Sequence, residues 1–414
     1  MKIKKALSAI LAVIIIFSFT CITTSATDGH SGFKNMEKLS KQEIVNLTKT
    51  APISDTSNIY SSVPSIKAPY SIGKVNDEIM QSGIVRINAY RRLAGLKSVT
   101  LNGVYTNYAQ TGALVLATNN AMTHYPTKPA DMSQDMFDNG YKGTSKSNLV
   151  HFHSWPTEEG PFVLSVDVCM DDSDSKNIST VGHRRWLLNP AMGKTGFGVA
   201  DNNGDRYSAI YALDKSATVY DYDFISWPPS GYMVSDSSLF SVDVAWSVSL
   251  NPEKYSISDV KDITVEMKGE EKTYNFSYNK ADGFFNVDTN SYAIPNAIIF
   301  LPDNISEYTG EYIITIKGIK TSSGIDTTLS YSVEFFKAKD ADRNTSVPAV
   351  DDTGDINEDG KISAADARLA LRIAARMDSI SEDKINLADV NNDNAVTAAD
   401  ARIILRVSAK LDTF

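Results

Sequence analysis

Apolar residues run almost unbroken from Ala6 to Phe19, behind the cations Lys2, Lys4 and Lys5 and ahead of the small residues Thr24, Ser25 and Ala26. That order of charge, apolar stretch and small-residue exit predicts an export leader over residues 1–26, with the mature chain starting at Thr27. Residues 27–75 keep no steady period. Ser40, with Glu43 three places on, predicts the capped start of one short helix, and the remainder, rich in Ser and Pro, is expected to be extended. Between 76 and 215 helical periodicity alternates with short strand-like runs, which predicts a mixed α/β domain. From 224 to 338 apolar and polar residues alternate, as in Lys261-Asp-Ile-Thr-Val-Glu-Met267 and Glu311-Tyr-Ile-Ile-Thr-Ile316, and an all-β sandwich is expected there. Residues 339–352 read as a polar linker containing Pro348. Beyond the leader, no run approaches the roughly eighteen apolar residues that a membrane span requires.

Charge narrows the partners. The chain of 414 residues carries a formal net charge of −10. Nucleic acid is therefore excluded, because binding it takes clustered Lys and Arg that displace counterions from phosphate. Cysteine occurs only at 21 and 169, so removal of the leader leaves Cys169 alone and no internal disulfide can form. A lipid-anchored start at Cys21 is disfavoured by the bulky Phe19 just before it. Cys169 sits in the apolar run from Phe162 to Met170 and is expected to be a buried structural thiol rather than a nucleophile.

From residue 353 to 414 the sequence repeats itself. Asp355-Ile-Asn-Glu-Asp-Gly-Lys-Ile-Ser-Ala-Ala-Asp366 returns 34 residues later as Asp389-Val-Asn-Asn-Asp-Asn-Ala-Val-Thr-Ala-Ala-Asp400. Each copy sets oxygen-bearing side chains at loop positions 1, 3, 5, 9 and 12. A hard cation takes six to eight oxygens, and this winding converges them on one point together with the carbonyl of position 7. Two calcium ions are predicted. Asp355, Asn357, Asp359, Lys361 (through its carbonyl), Ser363 and Asp366 hold one, and Asp389, Asn391, Asp393, Ala395 (through its carbonyl), Thr397 and Asp400 hold the other. Gly360 and Asn394 occupy the tight turn at position 6, where Asn is the less tolerant residue and predicts a weaker second site. A helix is expected after each loop, Ala364 to Arg376 and Ala398 to Lys410.

Such a duplicated loop and helix, with Asp at position 12 and Ala-Asp-Ala-Arg in both copies, resembles the type I dockerin family. The resemblance implies a cohesin module on a scaffold protein as partner. The implied contact residues are Ala364, Ala365, Arg368, Leu371, Arg372 and Arg376, and in the duplicate Ala398, Ala399, Arg402, Leu405, Arg406 and Lys410. Near identity of the two faces implies two docking orientations related by a pseudo-twofold axis. Positions 10 and 11 are Ala-Ala rather than the hydroxyl pair of the best-known dockerins, so the resemblance does not carry over the usual cohesin as partner.

Within 76–215, Arg86-Ile-Asn-Ala-Tyr-Arg-Arg-Leu-Ala-Gly-Leu, Tyr108-Ala-Gln, Asn119-Asn-Ala-Met-Thr-His124, Ser147-Asn-Leu149, Gly182-His-Arg-Arg-Trp-Leu-Leu-Asn-Pro190 and Gly196-Phe-Gly198 together resemble the CAP superfamily of extracellular SCP-like domains, an α-β-α sandwich. The family carries two His and two acidic residues in one cleft. Here they fall on His124, His183, Ser147, where an acid is expected, and Asp172, with Cys169 in place of a helix Trp. His124, Asp172 and His183 can hold zinc with one open position, as a metal hydrolase needs. The loss of a carboxylate at Ser147 removes the obvious general base, which favours a non-catalytic binding cleft. His151 and His153 lie two apart on one strand face and can ligate metal, although surface placement is the plainer expectation. Glu158 and Glu159 beside Trp155 offer paired carboxylates for sugar chemistry, but neighbours on a strand point apart. Trp227, Trp246 and Tyr292 are candidate sugar platforms, with core packing the plainer expectation for the tryptophans.

The expected whole is a multidomain secreted protein: a CAP-like α-β-α sandwich, an Ig-like β-sandwich and a small all-α calcium-loop dockerin. Its expected role is that of an accessory subunit in a cellulosome-like complex, with a polysaccharide or cell-wall ligand. The alternative is a metal-dependent hydrolase acting on such polymers through the CAP-like cleft.

Overall fold

The Ser40 hydroxyl accepts from the Glu43 amide at 3.2 Å, and the Glu43 carboxylate accepts from the Ser40 amide at 2.8 Å. This closes the expected capping box and starts α1 (Lys41–Thr48). The computed structural model describes residues 22–25, 39–49, 58–153, 160–341, 354–357, 362–378, 385–390 and 395–409. The chain divides into two units, residues Met1–Asp342 and Arg343–Phe414.

In the first unit, β1 (Ile22–Ser25) lies within the expected leader, most of which falls outside the described residues. β2 (Tyr60–Ser62), β3 (Lys74–Val75), α2 (Asp77–Leu93), β4 (Thr100–Leu101), α3 (Gly103–Asn119), α4 (Gln134–Ser145), β5 (Ser147–His153), α5 (Pro161–Asp171), α6 (Gly182–Leu187), β6 (Lys194–Thr195), β7 (Phe197–Asn202) and β8 (Asp205–Tyr211) build the mixed region. Its antiparallel sheet runs β5-β8-β7. Side chains alternate across β8. Tyr207 and Ala209 join Ala109 and Ala113 of α3, while Ile210 joins Phe162 and Val166 of α5 and the Ser208 hydroxyl accepts from Ser165 at 2.9 Å. Helices therefore cover both faces, giving the expected α-β-α layers. Gly198 permits the tight seat of α3, since a Cβ there would stand 2.3 Å from the backbone of Ala109 and Gln110.

The β-rich region follows as β9 (Phe224–Trp227), β10 (Gly231–Val234), β11 (Trp246–Leu250), β12 (Tyr255–Ser256), β13 (Thr264–Lys268), β14 (Thr273–Phe276), β15 (Gly283–Asp288), β16 (Ala297–Pro302), β17 (Gly310–Thr321) and β18 (Asp326–Phe336). One sheet runs β15-β16-β11-β9; the other runs β1-β18-β17-β13-β14, with β10 also on β18 and β12 on β17. Rings interleave between them: Phe276 lies 5.2 Å from Phe300, Phe224 5.1 Å from Tyr331 and Trp246 5.8 Å from Phe335. The strand expected from Lys261 begins instead at Thr264. Asp259 accepts from the Lys261 amide at 2.9 Å and winds Val260–Asp262 into a short 3-10 turn. Trp227 and Trp246 are 1% and 0% exposed, so neither is a sugar platform.

The change of pattern near residue 220 marks a change of element type within one packed body. Tyr90 of α2 meets Trp227 edge to face at 5.2 Å, and buried residues of both regions form one hydrophobic cluster. The two arginines of α6 cross this joint. Arg184 Nη1 donates to the Ala245 carbonyl at 2.6 Å and to Ser247 Oγ at 3.0 Å. Arg185 pairs with Asp288 and donates to the carbonyls of Asn290 and Ile294.

The second unit carries α7 (Ala364–Ala374), α8 (Ile385–Ala388) and α9 (Ala398–Ser408). Ile356, Ala367, Ala370, Ala388, Ala401 and Ile404 form its core. The expected linker, from residue 342 onward, lies outside the described residues.

Candidate functional site

In the second unit the position-12 aspartates fold back on their own loops. Asp366 Oδ2 accepts from the Ser363 amide and hydroxyl, both at 2.9 Å, and its Oδ1 accepts from the Asn357 amide at 3.1 Å. Asp400 Oδ2 accepts from the Thr397 amide at 2.8 Å and hydroxyl at 2.9 Å. Ser363 and Thr397 thereby close capping boxes at the starts of α7 and α9. Both aspartates are 0% exposed, and Asp355 and Asp389 at position 1 are buried too. Gathering carboxylates out of water is costly unless a cation joins them. The donor set of side-chain oxygens and backbone carbonyls suits calcium. Asp359, Lys361, Asn391 and Asp393 lie outside the described residues.

The opposite faces of α7 and α9 point to solvent. Leu371 is 51% and Leu405 49% exposed. Ala364, Ala365, Arg368, Arg372, Arg376, Ala398, Ala399, Arg402 and Arg406 are exposed with them, while Lys410 lies outside the described residues. Amphipathic spacing thus sends Ala367, Ala370, Ala401 and Ile404 inward and the expected contact residues outward. Arg372 holds Asp378 through two bonds at 2.6 and 2.8 Å.

In the first unit, Asp172 ends α5 in the left-handed region and organises the start of α6. Its Oδ2 accepts from the backbone amide of His183 at 2.9 Å, and its Oδ1 pairs with His183 Nδ1 at 2.8 Å. The carboxylate is an acceptor, so Nδ1 carries a proton, and in the neutral imidazole Nε2 is left as the acceptor. Burial lowers the His183 pKa, but the hydrogen bond and charge of Asp172, aided by Asp174, outweigh it and raise the pKa above its ordinary value. Asn148 Nδ2 donates to the His183 carbonyl at 2.9 Å. Next to it Ser147, at the position where an acid was expected, is buried with its hydroxyl unbonded. Cys169 is buried and burial pushes its thiol pKa well up, so it is inert, as expected.

His124 belongs to a different anchor. Its Nδ1 pairs with the Thr144 carbonyl at 2.8 Å. Among the described residues no group of three or more His, Cys, Asp and Glu side chains is placed to hold a metal, so the expected zinc set of His124, Asp172 and His183 is not assembled. Each imidazole spends Nδ1 on a separate partner. His151 and His153 face one carboxylate, Asp205 Oδ1, at 3.0 and 2.9 Å. Asp205 escaped sequence reasoning, though it stands directly opposite His153 in the β5–β8 register. Glu158, Glu159 and Trp155 lie outside the described residues. Tyr292 packs beside Gly182, with the Arg185 guanidinium 5.3 Å from its ring centre.

Residues 85–219 match the model of the cysteine-rich secretory protein family, CAP, and residues 353–406 that of the dockerin type I domain. The chain carries a CAP domain and a type I dockerin. Among solved structures, an extracellular protein containing an SCP domain from Bacillus anthracis is 18% identical over 33% of this chain and 41% of its own, with a TM-score of 0.23. The chain thus spans under half of that protein. The CAP domain of enterococcal PrgA is 15% identical over 45% of this chain and 84% of its own, also with a TM-score of 0.23. The archaellum periplasmic stator protein FlaG from Sulfolobus acidocaldarius is 22% identical over 21% of this chain and 82% of its own, with a TM-score of 0.15. No curated protein matches. No described helix is long and apolar enough to cross a membrane.

Proposed function

We propose that the protein is an extracellular accessory subunit of a cellulosome-type complex, tethered to a scaffold cohesin by its calcium-folded dockerin. The observation that carries this reading is the pair of buried position-12 aspartates, Asp366 and Asp400, each capping a helix whose outer face exposes Leu371 or Leu405 with flanking arginines. Calcium bound by the two loops would neutralise the buried carboxylates and fix both helices. The outward faces would then meet the cohesin singly, in either of two orientations. Ala364 and Ala365, with Ala398 and Ala399, make the leading edge small and apolar, which suits a cohesin surface without hydroxyl-seeking groups.

In this reading the CAP domain is a binding module, and the β-rich region, an Ig-like sandwich, buttresses it through Arg184 and Arg185. The polymer retained would be a polysaccharide or another cell-wall chain. The test is capture of the full chain on immobilised type I cohesins in calcium and in EGTA. Retention in calcium and release in EGTA are expected; indifference to every cohesin offered contradicts the reading.

A further inference from the structure

The loop after α3 and the outer side of α4 carry a row of rings that belongs to none of the hydrophobic cores and lies outside the docking faces. His124, Tyr125, Tyr141 and Phe137 follow one another at centroid separations of 6.4, 6.3 and 6.0 Å. Tyr125 is 72% exposed and Tyr141 38%, with Met122 close by in the chain at 54%. Rings stabilise a fold by being buried, so a line of them left in water marks a surface that meets something else.

Three features restrict what that is. Four charged groups near the row in the chain are engaged by the protein itself: Lys128 donates to the Met132 carbonyl at 2.6 Å, Asp131 accepts from Tyr70 at 2.6 Å, Asp138 accepts from Gln134 at 2.7 Å, and the Lys142 ammonium lies 5.3 Å from the Tyr108 ring centre. A neutral ligand fits this balance better than an ionic one. His124 is fixed, since Nδ1 pairs with the Thr144 carbonyl and the His124 carbonyl accepts from Thr144 Oγ1 at 3.1 Å. Nε2 then remains as an acceptor on an exposed ring. Successive rings are also turned by 60°, 46° and 52°. A row so twisted cannot lie flat on a crystalline face, whereas a single helical chain of pyranose rings offers its apolar C–H faces in turn.

We propose that this row binds one soluble chain of a neutral polysaccharide, with ring faces stacking on its sugars and His124 Nε2 and the tyrosine hydroxyls taking its hydroxyl groups. The proposal deepens the reading of the CAP domain as a binding module and rests on it. Titration calorimetry of the full chain in calcium against cellohexaose, xylohexaose and mannohexaose tests it. At least one hexasaccharide should bind, about fivefold more weakly in Tyr125→Ala and in Tyr141→Ala. Tyr125→Trp should keep the affinity, and circular dichroism should be unchanged throughout. The proposal is overturned if none of the three binds, if both alanine variants bind as well as the parent, or if only oligolysine or oligoglutamate binds. Cohesin capture on the same samples separates the two ideas: intact capture without sugar binding removes the aromatic row alone, and absent capture removes the docking reading.

Discussion

Asp366 shows how one side chain serves both folding and ligation. Its carboxylate ties the amide of Asn357, at loop position 3, to the amide and hydroxyl of Ser363, at position 9, while its burial calls for a cation. Asp366→Ala is expected to abolish one of two calcium sites and to cost about 1 kcal/mol more through the lost cap. Calorimetric stoichiometry should fall from two ions to one. His183 gives a pH-dependent counterpart. Its folded-state pKa stands above the ordinary 6.5, so the pairing with Asp172 stabilises the fold fully below that pH and the contribution disappears as pH rises through the folded value. The first unit's melting temperature should therefore fall across that window. In Asp172→Asn it should start lower and vary less, which scanning calorimetry at stepped pH reads directly; an unchanged slope contradicts the pairing. Cys169, buried in α5, should resist thiol reagents until the chain is denatured.

At the scale of elements, the joint between α6 and the β-rich sheets carries a dense set of buried polar contacts. Asp288→Ala leaves the Arg185 guanidinium without its carboxylate, although the carbonyls of Thr180, Asn290 and Ile294 still receive it. A cost of about 3 kcal/mol is expected, the lower end for breaking a buried pair. The measurement is the denaturant midpoint of the first unit. What could be read from the chain beforehand was local: the capping box at Ser40 and the oxygen spacing of the repeat depend on residues at most eleven places apart, and the caps at Ser363 and Thr397 came with that spacing unread. Asp205 and Asp288 were invisible because their partners lie 52 and 103 residues away. The Gly-His-Arg-Arg run pointed to the right fold. Its arginines bind the next region's backbone, so the switch of periodicity near residue 220, where the CAP match ends, lies inside one packed unit.

For the molecule as a whole, the two units draw stability from different sources. The first rests on a large apolar core shared by its α/β and β-rich parts. Among the described residues the second buries only four alanines and two isoleucines in its core, and a module so small is expected to depend on bound metal. Heating should therefore give two transitions, of which only the dockerin's shifts with calcium. The most direct test is a calcium titration of the full chain, followed by far-ultraviolet circular dichroism and by capture on a type I cohesin. Two ions should bind, helicity should rise as they do, and capture should appear with them and vanish in EGTA. Full helicity in chelator, or capture indifferent to calcium, would contradict a metal-folded tether.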